Sequence, residues 1–193
     1  MAQDISIPAL ERTITLSSVH SQKVLARSYK RTAQALYNAD VMVRIVAGAK
    51  EAEQLEEVVH SMVNDVENDL TKDFEKRSAE LEKYGINALP AYNSPQTETL
   101  KISSPHVGRY VQVLVLFDEY LKQTDALWLA GALTNGERDG QAYDWQKRLN
   151  RFSSRLIQLE SRAMRSAQRQ AEGKQDKQES SNRDQVKGEP KAD

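Results

Sequence analysis

The chain has 193 residues, with 27 Lys and Arg against 28 Asp and Glu, and it contains no cysteine. Only 8 Gly and 5 Pro supply turn punctuation, which excludes an all-β sandwich or barrel and favours a mostly helical fold. The absence of thiols removes a disulfide scaffold, a Cys-bearing zinc site and a Cys nucleophile together. The first residues lack the basic segment and apolar run of a signal peptide, and no stretch approaches the ~18 apolar residues of a membrane span. The expectation is a cytoplasmic protein without membrane contact.

Charge is segregated along the chain. Residues 1–50 hold seven Lys/Arg and three Asp/Glu, residues 51–83 four and eleven, and residues 145–170 seven and one. Such asymmetry points either to a polyanion partner or to basic and acidic helices that dock on each other.

In chain order, residues 1–9 read as a flexible N-terminus. Residues 12–17 alternate, with Ile14 and Leu16 facing one side and Thr13, Thr15 and Ser17 the other, as in a half-buried strand. A helix capped near Ser18–Ser21 follows, basic on its polar face through Lys23, Arg27, Lys30 and Arg31, and ends or bends near Gly48. From Lys50 to Tyr84 an apolar stripe from Leu55 to Leu81 with acidic flanks predicts a long helix, stopped by Gly85 and packed in an antiparallel pair or across a dimer. Residues 86–95 read as loop.

A second strand is predicted where Thr97, Thr99, Lys101 and Ser103 alternate with Glu98, Leu100 and Ile102. Ser104-Pro105 then opens an apolar core helix to about Gln123, followed by a shorter segment starting at Thr124-Asp125 and a polar turn over 134–140. The last helix, about 141–171, has Trp145, Leu149, Phe152 and Leu156 on one side and Lys147, Arg148, Arg151, Arg155, Arg162, Arg165 and Arg169 on the other. A single helical domain over 10–172 and a disordered tail over 173–193 complete the division.

No constellation for catalysis is present in the sequence, so an enzyme is not expected, and no cofactor or metal is implied. His20, His60 and His106 belong to no ligand motif; Glu56 and His60, one turn apart, could share a metal but match an ordinary surface contact better. The adjacent Asp118 and Glu119 point about 100° apart on a helix and make no acid/base pair.

A short strand running into a helix has one functional reading with a mechanism. Two copies paired across a dimer axis form a ribbon that fits the DNA major groove, with helix N-termini and basic side chains on the phosphates. Two places fit. The first offers Thr13, Thr15 and Ser17 outward, with Arg12, Lys23, Arg27, Lys30 and Arg31 close by, and its charge makes it the preferred site. The second offers Thr97, Thr99, Lys101 and Ser103. Against both stands a plainer arrangement, in which the strands are core edges or pair with each other inside one chain.

Three stretches carry a family resemblance: Ser103-Ser104-Pro105-His106 leading to Leu116-Phe117-Asp118-Glu119, then Asp125-Ala126-Leu127-Trp128-Leu129-Ala130-Gly131, then Trp145 through Arg148-Leu149 to Arg155-Leu156-Ile157. Over about residues 10–170 the chain resembles the AcaB-like proteins of conjugative plasmids and integrative conjugative elements. That resemblance implies a dimeric ribbon-helix-helix regulator that activates conjugative-transfer genes, with promoter DNA and RNA polymerase as partners. The combined expectation is a mostly α, multi-helix homodimer with one or two short strands and a ribbon-helix-helix DNA-binding element. The rival is a helical adaptor or structural component of a conjugation system. The sequence leaves open whether the basic helix at 145–170 touches DNA or the acidic helix at 51–83.

Overall fold

The computed structural model describes residues 8–46 and 48–186, with side chains to Arg169. Most of the N-terminal segment 1–9, and the tail from 187 onward, lie outside these residues. The order is β1 (Leu10–Leu16), α1 (Val19–Tyr37), a π-helical turn (Asn38–Met42), α2 (Val43–Val46), α3 (Ala49–Lys83), β2 (Gln96–Ile102), α4 (Pro105–Leu129) and α5 (Asn135–Val186).

β1 and β2 pair antiparallel with each other, from Leu10 opposite Ile102 to Leu16 opposite Gln96. This overturns the ribbon-helix-helix expectation. Each strand pairs with the other strand of its own chain rather than with its copy in a second one, and the two-stranded sheet belongs to a larger helical domain. The pairing has a physical driver: Ile14, Leu16 and Leu100 are all buried and need one shared core, which the helices following both strands provide.

The chain uses the same order twice, a strand, a Ser-capped helix and then a long helix. Positions 86 apart correspond: Thr13 with Thr99, as well as Ile14 with Leu100 and Ser18 with Ser104. The Ser18 hydroxyl accepts from the His20 backbone N–H and the Ser104 hydroxyl from that of Val107. The two halves exchange helices, since α1 packs on α5 and α3 packs on α4. α3 runs parallel to α4, as His60 meets His106, Glu67 meets Arg109 and Ser78 meets Gln123. It runs antiparallel to α5, where Asp73 meets Trp145 and Asp69 meets Arg148.

At the centre, Tyr110 of α4 is buried and its hydroxyl reaches Ser28 of α1 at 3.1 Å and Ser153 of α5 at 3.2 Å. One phenol thereby joins the polar groups of three helices, as buried hydroxyls require. Leu114, Phe117, Leu149 and Leu156 close the core around it.

Two helix boundaries differ from the sequence expectation. α4 does not break at Thr124-Asp125, because the buried Thr124 hydroxyl donates back to the Tyr120 carbonyl at 2.9 Å instead of capping a new helix. It ends at Gly131, whose φ of +75° lets Ala132 donate to the Leu127 carbonyl. The residues taken as a polar turn, 134–140, instead begin α5. The Thr134 hydroxyl accepts from the Glu137 backbone N–H, and the Glu137 carboxylate accepts from the Thr134 backbone N–H at 2.8 Å. This is a capping box, strong enough to start a helix that contains Gly136 and Gly140. The α5 backbone stays helical to Val186, through part of the segment whose composition predicts a tail.

The β1–α1 corner hangs on Asp118 of α4, which is 1% exposed. Its carboxylate accepts from the backbone N–H of Ser17 at 3.0 Å and of Ser18 at 2.8 Å, and from the Ser21 hydroxyl at 2.6 Å. Asp118→Ala should cost about 3 kcal/mol or more, because buried donors lose a charged acceptor. Arg148→Ala, which removes a half-exposed ion pair with Asp69, should cost under about 1 kcal/mol. Urea unfolding of the two variants beside the parent measures both.

Candidate nucleic-acid interface

The register decides what the sheet shows to solvent. Odd-numbered residues of both strands share the outer face, so Glu11, Thr13 and Thr15 lie opposite Lys101, Thr99 and Thr97. All six are exposed. The threonines pair across the strands, Thr13 with Thr99 and Thr15 with Thr97, each with hydroxyl oxygens 3.0 Å apart. The two candidate strands are thus halves of one polar face rather than alternatives.

The basic residues lie on the neighbouring helix, and one of them, Lys30, reaches the sheet. Lys23, Arg27, Lys30 and Arg31 are exposed on α1. Lys30 shares a small cleft with Lys101 and Ser103, and the Tyr29 hydroxyl donates to the Lys101 carbonyl at 3.1 Å. Arg27 faces α5 across a groove of about 540 Å³, joined there by Lys147, Arg151 and Arg155, with no carboxylate in the lining. Arg12 is exposed but stands on the other side of the strand, opposite Leu100. Ser17 is half-buried and its backbone N–H is committed to Asp118, so it adds little to the face.

The helix starts do not serve as phosphate sites in the way a strand-to-helix reading suggests. A carboxylate already occupies each: Asp118 at the start of α1, and Asp40 at the start of α4. Asp40, in the π-helical turn, takes the His106 Nδ1–H at 2.6 Å and lies 3.4 Å from the His106 backbone N–H. Anions at both helix N-termini are satisfied internally, which leaves phosphate contacts to side chains.

The pairing of His60 with Glu56 is not formed. His60 lies beside His106 and Arg109, each at 3.4 Å, while Glu56 pairs with Arg44 of α2. Among the described residues no group of three or more His, Asp or Glu side chains could hold a metal ion, and no helix is long and apolar enough to cross a membrane.

What the sequence left open is which way the basic side of α5 turns. Lys147, Arg151 and Arg155 recur at steps of four, and the signal for their placement was that same spacing opposite the buried Trp145, Leu149, Phe152 and Leu156. Only Arg148 of this stretch pairs with the acidic helix, through Asp69.

The architecture is that of a helical domain organised around one two-stranded antiparallel sheet. No protein-family model and no curated protein matches the sequence. A solved structure does: the crystal structure of selenomethionine-containing AcaB from uropathogenic E. coli is similar to this chain with a TM-score of 0.82 and 31% identity, over 89% of this chain and 88% of that one. The chain belongs to the AcaB family.

The exposed threonine ladder contributes modestly to folding. Replacing Thr13 and Thr99 together by Ala should lower stability by roughly 0.2–1 kcal/mol, the scale of one exposed cross-strand pair. Thermal melts of the double variant check this.

Proposed function

We propose that this protein is a transcriptional regulator that binds double-stranded promoter DNA through the outer face of β1 and β2. The observation that carries the reading is the register, which sets Thr13, Thr15, Thr97, Thr99 and Lys101 on one exposed ribbon face beside a basic helix. A two-stranded ribbon fits the width of the major groove, and hydroxyl and ammonium groups are suited to base edges there. Lys23, Arg27, Lys30 and Arg31 then neutralise flanking phosphates, and Lys147, Arg151 and Arg155 extend the cationic track along α5.

Because one chain supplies a whole ribbon, a homodimer would carry two and read two half-sites. Membership of the AcaB family, together with the resemblance to proteins of conjugative elements, supports activation of transfer genes as the role. The rival reading is a helical adaptor of a conjugation system; the acid-free groove between α1 and α5 favours the nucleic-acid partner.

Fluorescence anisotropy on duplexes from upstream of the neighbouring transfer genes, at several salt concentrations with unrelated competitor, tests the proposal. Arg27→Ala with Lys30→Ala should weaken binding to every duplex and lower the salt slope by about 2. Thr15→Val or Thr97→Val should cost about 1–3 kcal/mol on the preferred site and little on others. Salt-insensitive or absent binding at micromolar protein supports the adaptor instead.

A further inference from the structure

Glu11 and Lys101 stand directly opposite each other on the outer face of the sheet, and both are exposed. Cross-strand neighbours of this kind hold their Cβ atoms about 5 Å apart. Among the described residues neither side chain enters an ion pair. One end of the ribbon therefore presents a carboxylate and an ammonium side by side.

The internal repeat makes that end distinctive. Thr13 pairs with its own counterpart Thr99, so the two-fold axis of the repeat passes between them. Under that two-fold Glu11 maps onto Thr97 and Lys101 onto Thr15. The far end of the ribbon thus carries two threonines joined through their hydroxyls where the near end carries two opposite charges. The flanking helices break the symmetry as well. α1 presents Lys23, Arg27, Lys30 and Arg31 to solvent, whereas the corresponding positions of α4 are Arg109, which is paired with Glu67, and Val113, Leu116 and Phe117, which pack into the core.

Resting on the DNA reading above, we infer that one ribbon reads a non-palindromic stretch of duplex, in which Glu11 and Lys101 together select a single G·C base pair and its orientation. Lys101 donates to guanine O6 and N7, and Glu11 accepts from the cytosine N4 amino group of the same pair. The guanine acceptors and the cytosine donor lie next to each other in the major groove, as the ammonium and the carboxylate do on the ribbon. Reversal to C·G sets the ammonium against an amino donor and the carboxylate against two acceptors, and this repulsion supplies the discrimination. The one-sided row of cations on α1 fixes the direction in which the ribbon lies on the site, because α4 offers no matching set to the phosphates.

Selection from a duplex library with a randomised core, followed by fluorescence anisotropy on the selected duplex with the full chain, tests the inference. The stretch covered by one ribbon should hold a G·C pair on one side of its centre with no mirrored partner on the other. Reversing that pair should weaken binding about tenfold or more. Glu11→Gln should tighten binding to every duplex yet cut the reversal penalty to about threefold or less, and Lys101→Met should weaken binding while cutting the penalty likewise. Thr15→Lys combined with Thr97→Glu, which copies the charged end onto the far end, should create a second G·C preference at the mirrored position. A selected stretch that is itself palindromic, or a reversal penalty kept in full by both Glu11→Gln and Lys101→Met, would overturn this inference and leave the DNA reading standing. Failure of every duplex to bind at micromolar protein and low salt would overturn both.

Discussion

A carboxylate buried on one helix and spent on the start of another organises this molecule. Asp118 projects from the middle of α4 into the corner where β1 turns into α1, and collects two backbone N–H groups and a serine hydroxyl. Desolvating a carboxylate is expensive, and it is tolerated here because several donors converge on it and Lys122 stands 3.4 Å away. The corner of the first half of the chain is thereby fixed to the core helix of the second. Asp40 does the converse, since it comes from the π-helical turn after α1 and meets His106 in the first turn of α4. Each strand-to-helix corner is held by a charge from the other half, so neither half is complete alone.

The sheet follows from that arrangement. Two strands without further neighbours are marginal in water, and these two are stable because both of their corners are anchored and their inner face meets the helical core. The same anchoring uses up the helix N-termini. A phosphate approaching the ribbon meets hydroxyls and the side chains of Lys and Arg, while the backbone donors at both corners are turned inward to Asp118 and Asp40. Binding of nucleic acid at this face would accordingly draw on long, mobile cations at the rim rather than on fixed dipoles, and so depend strongly on salt.

Local features of the fold were legible in the sequence wherever a short-range physical signal existed. The alternation around Ile14 and Leu100 located both strands, and Ser18 and Ser104 marked two helix starts. Gly85, with φ of +67°, marked the end of α3. The Thr134-x-x-Glu137 box was just as local, but two nearby glycines outweighed it and the start of α5 was placed late. Thr124 misled in the opposite direction, because a hydroxyl before an acidic residue reads as a cap whether it turns outward or back onto its own helix. The pairing of β1 with β2 was of another kind. Which edge a strand satisfies depends on partners more than 80 residues away, and alternation alone fits pairing within one chain and pairing across two chains equally well. The outward position of the threonines was therefore legible on each strand separately, while their joint face was not.

The final helix shows why charge segregation along a sequence does not translate into one function. Its arginines and lysines looked like a single basic stripe facing either DNA or the acidic α3. Helical geometry divides them: Arg148 leans to Asp69 with its guanidinium over the Trp145 ring at 4.2 Å, whereas Lys147, Arg151 and Arg155 turn toward Arg27 of α1. Residues one position apart diverge by about 100°, so neutralisation of α3 and enrichment of the opposite groove are achieved by neighbours in sequence. Arg151 and Arg155 also line a second groove with Asp65 and Asp69 of α3, so that these two side chains stand between an acidic wall and a basic one. A polyanion bound along α1 would compete with the acidic wall for them.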